Sequence, residues 1–162
     1  MTTNPDIRFY DTCSLLQAGE SIFEKETLFL LSSITIKELE VIKTSTNKDP
    51  EIKYSARLLL RLLEENPFSY EVIIHKKQNE YPIVAEGFEL NNDLMILSDA
   101  LAANNKGEYM DRVIFVTNDL SLKHIANLFL GDGMIESVKE ETDTYIGYKE
   151  MILNDEELAN LY

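Results

Sequence analysis

The sequence predicts an α/β fold with a mostly parallel sheet and helices on both faces. Short apolar runs alternate with helix-length segments, and strands spaced this way pair through crossover helices. The length, 162 residues, suits one domain over 1–162, because domains cluster at about 100–150 residues. There is no internal repeat or low-complexity linker, and Pro5, Pro50, Pro67 and Pro82 are spread out like element boundaries.

Ile7-Arg8-Phe9-Tyr10 reads as a first strand, turned by Asp11-Thr12 into a helix containing Ser14-Leu15-Leu16-Gln17. Leu28 to Leu31 is a second apolar run. Thr35 opens a helix with Glu38 at capping-box spacing and Ile36, Leu39 and Ile42 at helical intervals. Pro50 starts a longer helix to Glu65, with Ile52, Ala56, Leu59, Leu60 and Leu63 as its apolar stripe and Asn66-Pro67 as its stop. Glu71 to His75 is a third strand, followed by an irregular stretch around Pro82 and Gly87. Asn91-Asn92-Asp93 begins a helix through Asn104, and Arg112 to Val116 is a fourth strand. Thr117-Asn118-Asp119 caps a helix to Leu130. Ile135 to Val138 is a candidate fifth strand and Asp155 to Tyr162 a short closing helix.

Hydrophobic residues at 44% and charged residues at 27% exclude a disordered or fibrous chain. Met1-Thr2-Thr3-Asn4-Pro5-Asp6 lacks a basic segment leading into an apolar one, so the expectation is a cytoplasmic protein without membrane contact. A lone cysteine, Cys13, rules out an internal disulfide, and with only His75 and His124 beside it any metal must be held by oxygen. Lys and Arg number 15 against 29 Asp and Glu, a net charge of −14, which argues against gripping nucleic acid by an overall positive field. From Asp132 onward nine acidic residues face only Lys139 and Lys149, a solvated face. Basic residues gather instead at Lys37, Lys43, Lys48, Lys53, Arg57 and Arg61. Lys53, Arg57 and Arg61 share one helix stripe, which is either a phosphate-tracking surface or a solvated helix face.

In parallel sheets ligands bind beyond the carboxyl ends of the strands. Asp11 follows the first strand there and Asp119 the fourth. Glu38 lies in the first turn of the helix after strand two, and Asp93 in the first turn of the helix before strand four. Asp11 and Asp119 can equally be helix N-caps, and Glu38 the acid of a capping box. Four carboxylates in one cleft would repel by several kcal/mol unless cations sat between them. Oxygen ligands select magnesium or manganese, which polarise phosphoryl oxygens and activate water, so phosphodiester hydrolysis is the chemistry such a cleft suits.

Phe9-Tyr10-Asp11-Thr12, Ile36-Lys37-Glu38-Leu39, Asp93 with Ile96-Leu97 and Ala100-Leu101, and Val116-Thr117-Asn118-Asp119 with Leu122 resemble the four acidic motifs of PIN domains, in the same order. Lys43, Ala56-Arg57, Tyr145-Ile146-Gly147-Tyr148 and the Asp155-Glu156-Glu157-Leu158 ending are more similar to the amino-terminal PIN domain of PhoH-type proteins. The resemblance implies a three-layer α/β/α PIN-like fold with a sheet of about five strands. It also implies a Mg2+- or Mn2+-dependent ribonuclease acting on single-stranded RNA. Asp11, Glu38, Asp93 and Asp119 match the catalytic, metal-binding acids, Thr12 and Thr117 the threonines that support those turns, and Asn118 a variable position beside them. Lys43, Arg57 and Arg61 are the substrate-binding candidates, and the assembly expected is a homodimer, with a protein partner open beside it. The chain departs from the family at Cys13, where Asn or Ser is usual. It shows no GxxxxGK[ST] loop, so the PhoH ATPase half is not expected.

The other readings are weaker. Cys13 lacks a motif-placed histidine and reads as a packed side chain; it also occupies the place of the second aspartate of a DxDx[TV] phosphatase. A receiver domain would need an acidic pair near strand one. His75 reads as a strand-end polar residue and His124 as a surface or packing residue. Asp99, about 240° round the helix from Asp93, reads as a solvated or helix-stabilising acid pointing away from the site. A PIN-like module that binds RNA or protein without hydrolysis is the alternative function, and a toxin working beside an antitoxin is a variant of the nuclease.

Overall fold

The computed structural model describes residues 5–25, 28–131 and 133–138. Five strands form one sheet: β1 (Ile7–Tyr10), β2 (Phe29–Ser32), β3 (Tyr70–Ile73), β4 (Val113–Val116) and β5 (Ile135–Glu136). Their order is β3-β2-β1-β4-β5, and every pairing is parallel. The helices are α1 (Thr12–Ala18), α2 (Ser21–Lys25), α3 (Ser33–Thr44), α4 (Pro50–Glu65), α5 (Tyr81–Ala85), α6 (Asn92–Asn105) and α7 (Leu120–Asn127). The fold is the three-layer α/β/α arrangement the sequence predicts.

Alternation along the strands divides the interior. Phe9, Leu30, Val113 and Phe115 pack on one face with Ile96, Leu97 and Ala100 of α6 and Leu122 and Ala126 of α7. Tyr10, Phe29, Leu31 and Val116 pack on the other with Leu15 of α1, Leu39 and Ile42 of α3, and Ile52, Ala56, Leu59 and Leu63 of α4. β1 and β2 are almost entirely buried because they are covered on both faces, as parallel sheets require. From β1 the chain runs outward through β2 to β3, then returns to the other side of β1 for β4 and β5. The strand order therefore reverses between β1 and β4, and a crevice opens beyond their carboxyl ends.

Several boundaries differ from expectation for local reasons. α3 begins at Ser33 rather than Thr35, because the Ser32 hydroxyl accepts the Ile34 amide at 2.9 Å. Glu38 therefore lies in the second turn, too far along to be the acid of a capping box. β3 stops at Ile73, since the His75 amide donates to Ser33 Oγ at 2.8 Å instead of to a strand. Pro82 starts a helix instead of breaking one: it stands in the first turn of α5, which follows a 3-10 turn at Lys77–Glu80. α7 ends at Asn127 rather than Leu130, where amides of Leu128 and Phe129 bond three residues back and tighten the last turn. α2 is a helix that no cap or periodicity announced. The closing helix expected at Asp155–Tyr162 lies outside the described residues.

Candidate active site

Asp11 and Asp119 flank the switch point. Phe9 pairs with Phe115 and Tyr10 with Val116, so the residues that follow leave the sheet side by side; the Asp11 amide bonds to the Val116 carbonyl at 3.1 Å. Each aspartate caps the helix it opens. Asp11 Oδ1 accepts from the Ser14 amide at 2.8 Å, and Asp119 Oδ1 from the Leu122 amide at 3.0 Å. A single cap does not exhaust either carboxylate, since a carboxylate accepts about four hydrogen bonds.

Glu38 arrives from α3 on one face of the sheet and is buried there. Thr12 Oγ1 donates to Glu38 Oε1 and shares a 3.0 Å hydrogen bond with Thr35 Oγ1, which fixes the glutamate against the turn that carries Asp11. Asp93 arrives from α6 on the opposite face, in the first turn after the Asn91 cap, and is exposed. The thiol of Cys13 is pushed well above its ordinary range by burial first and then by the negative charges of Asp11, Asp93, Glu38 and Asp119. Cys13 is half-buried and packs against the core of its face, as expected of it.

Burial also raises the Asp11 carboxyl above its usual 3.8, and the nearby Asp119 charge adds to the rise against hydrogen bonds from Thr117 and Ser14. Thr117 Oγ1 additionally accepts the Asp119 amide at 3.1 Å, so one threonine serves both strand-end acids. Asn118 faces elsewhere. Its side chain grips the backbone of Val138, accepting the amide at 2.7 Å and donating to the carbonyl at 3.2 Å, and donates to Gln17 Oε1 at 2.8 Å. Among the described residues, no three His, Cys, Asp or Glu side chains are arranged to hold a metal ion. The chemistry of the four acids, oxygen donors with accumulated negative charge, nevertheless fits a hard divalent cation. Asp11, Glu38, Asp93 and Asp119 would hold it, and such an ion would polarise a phosphoryl oxygen and activate water.

The basic candidates lie on α3 and α4. Arg57 and Arg61 are exposed; Lys43 is half-buried and paired with Glu40 at 2.9 Å, while Arg61 approaches Glu65 at 3.9 Å. Lys48 is buried. Arg57 and Arg61 are the more open to a phosphate chain.

Asp99 corrects the sequence reading. It is neither solvated nor idle but wholly buried, with Oδ2 accepting from Ser32 Oγ at 2.6 Å and Oδ1 from Asn79 Nδ2 at 3.0 Å. His75 is likewise more than a strand-end polar residue. Its Nδ1 lies 2.8 Å from Asp99 Oδ1 and its Nε2 2.6 Å from Glu80 Oε2. A signal existed: α6 is buried around nearly its whole girth, from Leu94 and Ile96 to Ala103, and a carboxylate in such a helix must be partnered. Thr35, read only as a helix opener, belongs to the Glu38 support.

The PIN domain family model matches residues 9–129. This chain is a PIN domain. PIN domains are generally nucleases and typically bind divalent metals. The solved structure of VapBC2 from Rickettsia felis, bound to a DNA fragment from their promoter, is 20% identical to this PIN domain, with a TM-score of 0.49 over 81% of this chain and 98% of that one. No relative is found among curated proteins. Among the described residues, no helix of this PIN domain is long and apolar enough to cross a membrane.

Proposed function

We propose that this PIN domain is a ribonuclease that hydrolyses phosphodiester bonds of single-stranded RNA with Mg2+ or Mn2+ held by Asp11, Glu38, Asp93 and Asp119. The observation that carries the reading is that Asp11 and Asp119 leave adjacent parallel strands side by side at the switch point, while Thr12 ties Glu38 to the turn that bears Asp11. A fold that needed only stability would gain little from gathering like charges at its switch point. Thr12, Thr35 and Thr117 hold the acids in place, and Asn118 anchors the segment entering the acidic carboxyl-terminal stretch. Arg57 and Arg61, with Lys43 beside them, lead the RNA backbone toward the cleft.

The same reading takes 1–162 as one domain, working in the cytoplasm as a homodimer or with a protein partner. A closer kinship to the amino-terminal PIN domain of PhoH-type proteins rests on Lys43, Ala56 and Arg57; its other motif, Tyr145-Ile146-Gly147-Tyr148, lies outside the described residues. The test is cleavage of labelled single-stranded RNA by the purified chain and by Asp93→Asn, with Mn2+ and with chelator. Cleavage that needs the ion and disappears in Asp93→Asn supports the nuclease. A folded wild type that binds Mn2+ yet never cleaves points instead to a non-catalytic RNA- or protein-binding module.

A further inference from the structure

The Asp99 cluster joins the two helices that carry Glu38 and Asp93. Ser32 Oγ both caps α3, which bears Glu38, and donates to Asp99 of α6, which bears Asp93. Asp93 stands six residues before Asp99, about 9 Å along a stiff helix, so fixing Asp99 fixes the direction in which the first turn of α6 faces. His75 closes the cluster by bridging Asp99 to Glu80 while its amide holds Ser33. We propose that His75 is a positioning residue: by bridging Glu80 to Asp99 it locks α6 and the start of α3 together and so sets where Asp93 and Glu38 present their carboxylates. The proposal rests on the reading that these acids hold a divalent cation.

The chemistry of the bridge makes it conditional on a proton. Both ring nitrogens of His75 face carboxylate oxygens, an arrangement satisfied only when both carry hydrogen. The groups facing the ring are Glu80 from the 3-10 turn and Asp99 from α6, both acids, while Ser33 from α3 and Asn79 complete the shell without charge. Loss of the proton turns a ring lone pair against a carboxylate, and the link between the 3-10 turn and α6 loosens. Burial disfavours the imidazolium, but the hydrogen bonds and charges of Glu80 and Asp99 outweigh it and keep His75 protonated above its usual 6.5.

The experiment measures binding of Mn2+ alone by calorimetry across pH, for the wild-type chain and for His75→Ala, Glu80→Gln and Asp93→Asn. The two histidines make the His75 imidazole resonance assignable by comparison with His75→Ala, which gives its midpoint directly. At pH 6.5, His75→Ala is expected to weaken Mn2+ binding about threefold or more, by analogy with lost outer supports of metal ligands. Glu80→Gln weakens it less and lowers the His75 midpoint; it preserves shape, and it carries the test if His75→Ala fails to fold. The gap between wild type and His75→Ala closes as pH rises through the wild-type midpoint, which simple packing would not produce. Equal affinities in wild type, His75→Ala and Glu80→Gln, with Asp93→Asn impaired, overturn the proposal and leave the metal reading standing. A gap constant with pH also overturns it. If Asp93→Asn binds Mn2+ as well as wild type, the metal reading itself falls and the proposal with it.

Discussion

Two clusters of carboxylates sit near the carboxyl ends of the strands, and they are built on opposite principles. Around His75, Glu80 and Asp99 share the imidazole and neutral donors supplied by the chain, so each carboxylate is partnered internally. Around Cys13, the charges of Asp11, Glu38, Asp93 and Asp119 act on one thiol, and Asp11, Glu38 and Asp119 accept from hydroxyl and amide donors. The first cluster is complete as folded. On the proposed reading the second receives a divalent cation, and that difference would separate structural carboxylates from functional ones in a chain of net charge −14.

The sharpest way to break the contrast is to neutralise one acid in each cluster. Asp119→Asn should lower Mn2+-dependent RNA cleavage by about 100-fold or more, because several kcal/mol of transition-state stabilisation pass through a metal ligand. In chelator it should keep or raise resistance to urea, because it keeps the cap of α7 and removes the charge that bears on Asp11. Asp99→Ala should do the reverse first: it strands His75, Ser32 and Asn79 around an empty place and should cost about 3 kcal/mol in urea unfolding. An Asp99→Ala chain as stable as wild type would dissolve the distinction.

A gentler probe is pH, without metal. His75 has a folded pKa above its usual 6.5, so its contribution to stability is complete below 6.5 and is lost as pH rises through the folded value. Asp11 and Asp99 are also raised, from 3.8, so folding favours their protonated forms and their contribution likewise declines as pH rises through their folded values. Melting temperature in chelator should therefore fall between pH 6.5 and 9, and the fall should shrink in His75→Ala. The smallest effect concerns Arg57→Ala and Arg61→Ala. Both should weaken binding of single-stranded RNA with little change in stability, reducing the salt dependence by about 0.7 per lost phosphate contact. Unchanged salt dependence would make that stripe a solvated helix face.

The sequence by itself determined the alternation that makes a parallel sheet, and several boundaries with it. α4 runs from Pro50 to Glu65 as its proline, stripe and stop require, and Asn91 caps α6, because caps and periodicity act within a few residues. It also brought Asp11 and Asp119 to strand ends, since Asp11 follows its apolar run directly and Asp119 comes after only Thr117-Asn118. Only the tertiary structure decided that β4 inserts beside β1, which places those two acids on either side of a crevice, and that α3 and α6 bring Glu38 and Asp93 in from opposite faces. The same holds for Asp99: spacing along α6 gives its angle on the helix but not what meets it there, and Ser32, His75 and Asn79 come from other segments of the chain. Local signals reach one turn of helix or one pleat of strand, whereas charge pairing and burial depend on which distant elements the sheet order makes neighbours.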